Sequence, residues 1–178
     1  VAKGSTDPEA ANQAQAALRQ RYEADPDNSS LMLNLVAALQ QAKLDNEAEQ
    51  VVKEYAQRHE ADVDAWLALA RFYLSGNGPS SSEPLHQRAL ASASEALTRA
   101  LVLDPNNLPA LRDMIEVQVR RGNLSEALAV CDRYLEHEPK DPAVLHQKGA
   151  LLARTAAGKR YELLQALKTM IGWKKLQE

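Results

Sequence analysis

The sequence predicts an all-α fold, and three observations support this prediction. Alanine and leucine, which have high helix propensity, are abundant, while aromatic residues make up only 4% of the 178 residues. Runs rich in Val, Ile, Thr and Tyr, which would indicate strands, are missing. Segments that end helices return at a regular interval, since Pro105 and Pro139 lie 34 residues apart. We therefore expect a series of short helices.

The 34-residue interval extends over most of the chain. The run GNLSEAL, which begins at Gly122, has a counterpart in KLDNEAE, which begins at Lys43. With these two runs in register, one copy starts at Ser29 and the next at Val63. A 34-residue self-similarity made of two helices is typical of stacked helix hairpins, because one hairpin cannot bury its apolar face alone.

The residues of each copy resemble the tetratricopeptide repeat. In that family, helix A carries a large residue, Leu, a small residue and an aromatic residue, and helix B carries a small residue before a closing proline. The second copy fits closely, with Trp66, Leu69, Ala70 and Tyr73 on helix A and Pro105 after helix B. The other matching positions are Met32, Leu35, Val36, Leu39, Ala48, Val52 and Tyr55 in the first copy, Ala93, Leu97 and Ala100 in the second, and Leu111, Met114, Gly122, Leu124, Ala127, Cys131, Tyr134 and Pro139 in the third.

The resemblance implies a right-handed superhelical solenoid of antiparallel helix hairpins, with three to four repeats and partial caps. The predicted parts are an N-terminal capping helix or partial repeat (1–28), repeat 1 (29–62), repeat 2 (63–107), repeat 3 (108–141), and a degenerate repeat 4 with a C-terminal helix (142–178). Small residues on the helices, Gly149 in the fourth copy among them, are expected to let neighbouring backbones approach.

Repeat 2 contains an insertion of 11 residues relative to its 34-residue neighbours. The insertion falls at about 76–88, where Gly76, Gly78 and Pro79 break helix A. One interpretation is a surface loop with an extra turn on helix B. The other is a loop that borders a binding groove or a partner.

The fourth copy departs further from the pattern. Leu145, Gly149 and Leu152 fit helix A, and Gly158 stands where the turn to helix B is expected. The segment after Gly158 has an apolar stripe that includes Tyr161, which predicts helix B of the last unit. Its basic residues around Trp173 leave a second interpretation, a helix that docks on a membrane surface or a partner.

Composition and motifs predict no catalytic activity, cofactor or metal. Net charge is −3, so no global field recruits nucleic acid. The single cysteine, Cys131, excludes an internal disulfide and a multi-cysteine metal site, and its apolar surroundings in helix B predict a buried packing thiol. The four histidines are scattered, and no HExxH, CxxC, GxGxxG, P-loop or GxSxG segment occurs. No apolar run approaches the roughly 18 residues of a membrane span.

The resemblance also implies a peptide-binding site on a concave surface lined by helix A residues. Carrying the inward-facing positions of the family over to this chain gives a groove that is apolar at one end and charged at the other. The predicted site residues are Leu33, Ala37, Gln40, Leu67, Arg71, Leu74, Arg112, Glu116 and His146.

Arg71 and Arg112 are the charged residues expected to select the ligand. They belong to consecutive helices A and could grip an acidic anchor residue of a protein or peptide partner. The competing interpretation is an internal salt-bridge ladder with Glu116, which lies at i,i+4 from Arg112. A chaperone-type carboxylate clamp is not expected, since its Lys and Asn positions fall on residues such as Leu33 and Asp113.

We therefore expect a non-catalytic protein-interaction scaffold or assembly-factor domain. The alternatives are a self-association module that forms a homo-oligomer, and a periplasmic chaperone-like module of the cytochrome c biogenesis type, an analogy drawn at the level of fold. We expect a soluble domain, and because the chain begins at Val1 without Met, we expect it to be a trimmed piece of a longer or membrane-anchored protein. The compartment, periplasm or cytoplasm, stays open at this point.

Overall fold

The computed structural model describes the backbone of residues 8–75 and 83–174, and the side chains of residues 12–75 and 86–161. Within these ranges the chain forms eight helices and no strand, so the all-α prediction is confirmed. The helices are α1 (Pro8–Ala24), α2 (Ser29–Gln41), α3 (Asp45–Arg58), α4 (Val63–Leu74), α5 (Glu83–Leu103), α6 (Leu108–Arg121), α7 (Leu124–His137) and α8 (Pro142–Lys174).

The chain divides into two units, Val1–Asp113 and Met114–Glu178. In the first unit, each of the helices α1 to α4 packs against the helix that follows it. In the second unit, α7 packs against α8. Helix α6 begins in the first unit and ends in the second.

Four helices begin at an Asn or Asp side chain that caps their free backbone N–H groups. The caps are Asn28, Asp62, Asn107 and Asp141, and each accepts hydrogen bonds of 2.9–3.3 Å from N–H groups two or three residues further on. Such a cap stabilises a helix by about 1 kcal/mol. The intervals between them are 34, 45 and 34 residues, which is the repeat length with the 11-residue insertion in the second copy.

The motif residues of the first three copies form the core. Each copy pairs small residues with large ones, so the helices approach closely and leave little empty space. All seven motif residues of the first copy are buried, and so are the seven helix residues of the second. In the third copy the buried motif residues are Leu111, Met114, Ala127, Cys131 and Tyr134.

Two corresponding turns use a left-handed backbone conformation to end a helix A. Gly122 after α6 has a φ of 79°, and a Cβ added there would have nothing within 4 Å. Lys43 after α2 has a φ of 60°. Glycine adopts this conformation without the steric cost that a side chain brings, so Lys43 is the more strained of the two positions.

The described part of repeat 2 shows a lengthened helix B. Helix α5 has 21 residues, whereas α3 and α7 have 14 each. The predicted insertion at 76–88 lies mostly outside the described residues, which resume at Glu83 with the first turn of α5.

The fourth copy is not a hairpin, and the prediction of a turn at Gly158 is wrong. Helix α8 runs unbroken from Pro142 to Lys174. Gly158 lies among residues of good helix propensity, without proline or a capping pair, and one glycine costs a helix only about 1 kcal/mol. Gly149 does not mediate a close approach either, since a Cβ added there would have nothing within 4 Å.

Candidate functional site

A groove of about 610 Å³ opens between α2 and α4. Its position agrees with the surface that we expected helix A residues to line. Five of the nine predicted site residues line it: Leu33, Ala37, Gln40, Leu67 and Arg71.

Helical spacing explains why these side chains meet. Leu33, Ala37 and Gln40 lie at i, i+4 and i+7 on α2, so they share one face. Leu67 and Arg71 are likewise four residues apart on α4. The neighbouring stripe of α2, made by the first-copy motif residues, is buried in the core. The core stripe therefore fixes which side of α2 faces the groove.

The groove has an apolar surface within reach of a ligand. Leu33 is 53% exposed and lines the groove beside the buried face of α2. Ala37 is exposed and Ala68 half-buried, while Leu67 and Phe72 are buried with part of their surface lining the groove. An apolar side chain placed here would remove this surface from water.

The charges of the groove differ from the predicted pattern. Arg71 Nε donates a 2.8 Å hydrogen bond to Asp113 Oδ2, and this carboxylate is the better buried of the two side chains. Asp62 and Asp64 line the groove near the start of α4. Glu116, which the sequence interpretation offered as the neutralising group, contacts Arg120 at 2.5 Å along its own helix.

The remaining predicted residues do not line this groove. Leu74 is buried, because α4 is covered on most of its surface. Arg112 is exposed on α6. Glu116 and His146 belong to the second unit, where His146 is exposed on α8. Asp113, the ion-pair partner of Arg71, was not among the predicted site residues, although it occupies one of the positions compared with the carboxylate clamp.

A smaller cavity of about 240 Å³ lies beside Trp66, and charged residues line it. Trp66 Nε1 donates to the Glu60 carbonyl oxygen at 2.9 Å, and the Arg99 guanidinium carbon lies 5.4 Å from the Trp66 ring centroid. The Tyr73 hydroxyl donates to Glu49 Oε1 at 2.8 Å. Burial, together with this hydrogen bond, raises the pKa of Tyr73. These contacts join α3, α4 and α5, so the polar groups that they involve have a structural role in holding the three helices together.

The described residues offer little for catalysis or metal binding. Burial raises the pKa of the Cys131 thiol, so the reactive thiolate is disfavoured, as expected for a packing residue. Across the described ranges, no group of three or more His, Cys, Asp or Glu side chains could hold a metal ion. None of the helices in those ranges is long and apolar enough to span a membrane.

Comparison with known proteins gives one family match and several similar folds. Residues 85–155 match the tetratricopeptide repeat family. No curated protein sequence matches the chain. A crystal structure of MamA aligns with a TM-score of 0.63 at 18% identity, covering 83% of this chain and 80% of MamA. YrrB, described as a tetratricopeptide repeat protein with an unusual peptide-binding site, aligns with a TM-score of 0.59 at 16% identity, covering 83% of this chain and 71% of YrrB.

A plant domain has a similar fold over a shorter stretch. The tetratricopeptide repeat domain of Arabidopsis OM64 aligns with a TM-score of 0.53 at 19% identity, covering 69% of this chain and 93% of that domain. At these identities the structural likeness concerns the fold alone. Together with the family match over residues 85–155 and the repeated motif residues in the core, it supports the tetratricopeptide-repeat-like fold that the sequence predicts.

Proposed function

We propose that the chain is a non-catalytic interaction scaffold whose α2–α4 groove binds a peptide segment of a partner protein. The observation that carries the proposal is the groove itself, with exposed Leu33 at its apolar end and Arg71 at its polar end. The fold-level likeness to YrrB, a repeat protein with a peptide-binding site, supports the same kind of ligand.

The lining favours a short amphipathic segment. One apolar side chain of the ligand would lie on Leu33, Ala37 and Leu67, where it replaces water on an existing apolar surface. Beside it, Gln40 can donate and accept hydrogen bonds to the ligand backbone.

An acidic ligand residue would bind at Arg71. The bond to Asp113 uses Nε and leaves the Nη groups of the same guanidinium as donors. Asp113 also orients the guanidinium, which lowers the entropy lost on binding. Because Asp113, Asp62 and Asp64 bring negative charge to the same region, we expect one acidic residue in the ligand rather than a run of them.

The test begins with a displayed peptide library selected on the intact protein, followed by calorimetry on the best peptide. Replacing the exposed Ala37 by tryptophan should fill the groove and lower affinity at least about tenfold, because the ligand's apolar side chain loses its place. The matched control is Ala91→Trp, since Ala91 is exposed on α5 outside the groove lining. Equal loss with both variants, or loss with neither, would contradict a ligand in this groove.

The acidic anchor is tested separately with the same peptide. Arg71→Gln should lower affinity about tenfold for a peptide with its acidic residue, and much less for the same peptide with that residue replaced by its amide. If both peptides lose affinity equally, Arg71 supports the groove through Asp113 and does not contact the ligand.

A further inference from the structure

The groove between α2 and α4 carries opposite charges at two places along α4. Asp64, Leu67 and Arg71 lie at i, i+3 and i+7, so they share one face of the helix, and all three line the groove. Asp62, the residue before the helix, lines the groove as well. A helix rises about 1.5 Å per residue, which places Asp64 and Arg71 about 10 Å apart along the axis. A ligand that follows α4 therefore meets negative charge, then an apolar side chain, then positive charge.

The acidic end of the groove is not neutralised within the described part of the chain. Asp62 Oδ1 accepts a 2.9 Å hydrogen bond from the backbone N–H of Asp64, which caps the helix. Neither carboxylate forms an ion pair with a described side chain. Among the described residues that line the groove, Arg71 alone is basic, and it lies two turns away. Both aspartates are exposed, so a ligand can reach them.

Two hydroxyl groups line the groove with these aspartates. They belong to Ser29 at the start of α2 and to Tyr55 of α3, whose side chain is buried. Burial, followed by the charge of Asp62, raises the pKa of Tyr55, so that carboxylate lies close to the phenol. Carboxylates beside an aromatic ring favour a cation, because both attract positive charge.

We infer that the groove binds an extended segment in which a basic, an apolar and an acidic residue follow one another in space. The basic side chain lies against Asp62 and Asp64, and the acidic one against Arg71. The apolar side chain lies on Leu33 and Leu67. The inference rests on the proposed function of the groove and adds a basic anchor, which fixes the orientation of the ligand. The reverse orientation brings like charges together at both ends, which is unfavourable.

The distance along α4 sets the spacing of the two charged ligand residues. Extended and polyproline II segments advance about 3.1–3.4 Å per residue, so about 10 Å corresponds to three residues, or four if the base pairs with Asp62. Polyproline II also returns a side chain to the same side every three residues, which suits two anchors on one wall. A helical ligand needs seven residues for this distance, and two turns of a helix about 10 Å wide occupy roughly 800 Å³. That volume exceeds the groove of about 610 Å³.

A displayed library of random eight-residue peptides, selected on the intact protein, tests the predicted order. Enriched peptides should carry a basic and an acidic residue three or four positions apart, with an apolar residue between them. The same selection on the double variant Asp62→Asn, Asp64→Asn should lose the basic residue and keep the other two. Asparagine caps a helix as well as aspartate does, so this variant should keep the helical circular dichroism of the wild type.

Calorimetry then measures the basic anchor directly. Replacing the basic residue of the best peptide by glutamine should lower its affinity for the wild type about threefold to fivefold, as for a partly exposed ion pair, and should leave its affinity for the double variant unchanged. Asp64→Lys should instead favour the peptide whose basic residue is replaced by glutamate. The matched control is Glu126→Gln, which removes an exposed charge from the first turn of α7 and should discriminate as the wild type does.

Three outcomes would overturn the inference: selected peptides without a basic residue, a spacing of seven positions, or a double variant that discriminates as the wild type does. In each of them Ala37→Trp would still weaken binding, so the groove would remain the peptide site. Binding that is insensitive to Ala37→Trp would instead overturn the proposed function. The two failures are therefore distinguishable.

Discussion

Trp66 illustrates how one residue serves packing, hydrogen bonding and electrostatics together. Its side chain is 9% exposed, its Nε1 group donates to the Glu60 carbonyl, and the Arg99 guanidinium lies near its ring. The sequence predicted the buried ring from its place in the repeat. It gave no indication of the two polar contacts, because their partners come from a turn and from α5, and only folding brings them together.

Removing the Trp66 ring should destabilise the protein strongly. We expect Trp66→Ala to cost roughly 3–5 kcal/mol in urea unfolding, because a large cavity forms between α3, α4 and α5. Leu33→Ala is the control, since the exposed Leu33 should change stability by no more than about 0.5 kcal/mol. An unfolding midpoint unchanged by Trp66→Ala would mean that the repeat register is wrong at this position.

The raised pKa of Tyr73 predicts that the folded protein loses stability at alkaline pH. Burial and the bond to Glu49 raise the pKa of Tyr73 in the folded state, so the folded state favours the neutral hydroxyl. Its contribution to stability is complete below about pH 10, the pKa of an unfolded tyrosine, and falls as pH rises above that value. Tyr73→Phe should flatten this decline above pH 10 in denaturant titrations at several pH values. A variant that declines as steeply as the wild type would assign the effect to other groups.

At the scale of elements, the turns and the last helix show what a repeat pattern predicts well and badly. The repeat pattern predicts a helix hairpin correctly where both helix A and helix B carry the motif residues. It predicts a hairpin poorly where only helix A carries them, as in the fourth copy. Gly158 has no capping residue or proline beside it, so local helix propensity decided the outcome in α8.

The two left-handed turns give a paired prediction. Lys43→Gly should stabilise the protein by about 0.5–1 kcal/mol, because glycine relieves the strain at a φ of 60°. Gly122→Ala should destabilise it by about 1 kcal/mol, since a φ of 79° is unfavourable for any side chain even where space is open. Thermal unfolding of both variants is the measurement. Shifts of the same sign would show that contacts, not backbone conformation, dominate at these turns.

At the scale of the molecule, the sequence predicted the fold class, because it follows from periodicity. The family resemblance supplied the groove positions, and five of the nine residues line the groove between α2 and α4. It predicted the chemistry of the groove less well. Arg71 was expected to be available or held by Glu116, yet it is held by Asp113, a residue 42 positions away. Ion pairs of this range depend on side-chain geometry that no 34-residue pattern contains.

The 45-residue interval between Asp62 and Asn107 shows how the fold tolerates its insertion. The caps on either side keep their hydrogen bonds, and α5 gains length without loss of its buried motif residues. Loop closure costs only about 0.6 kcal/mol for each doubling of loop length, so lengthening a connection between two helices is inexpensive.

The burial of α4 on most of its surface has a consequence for the order in which the helices unfold locally. Eight of its 12 residues are buried, whereas Tyr22 is the only buried residue among those of α1 whose side chains are described. Amide hydrogens of α4 should therefore exchange with deuterium last within the first unit, and those of α1 first. Mass spectrometry of exchanged peptides would measure the order. Opening would then spread inward from the N-terminal helix, and Leu67 at the centre would keep its place while Leu33 nearer the edge moves.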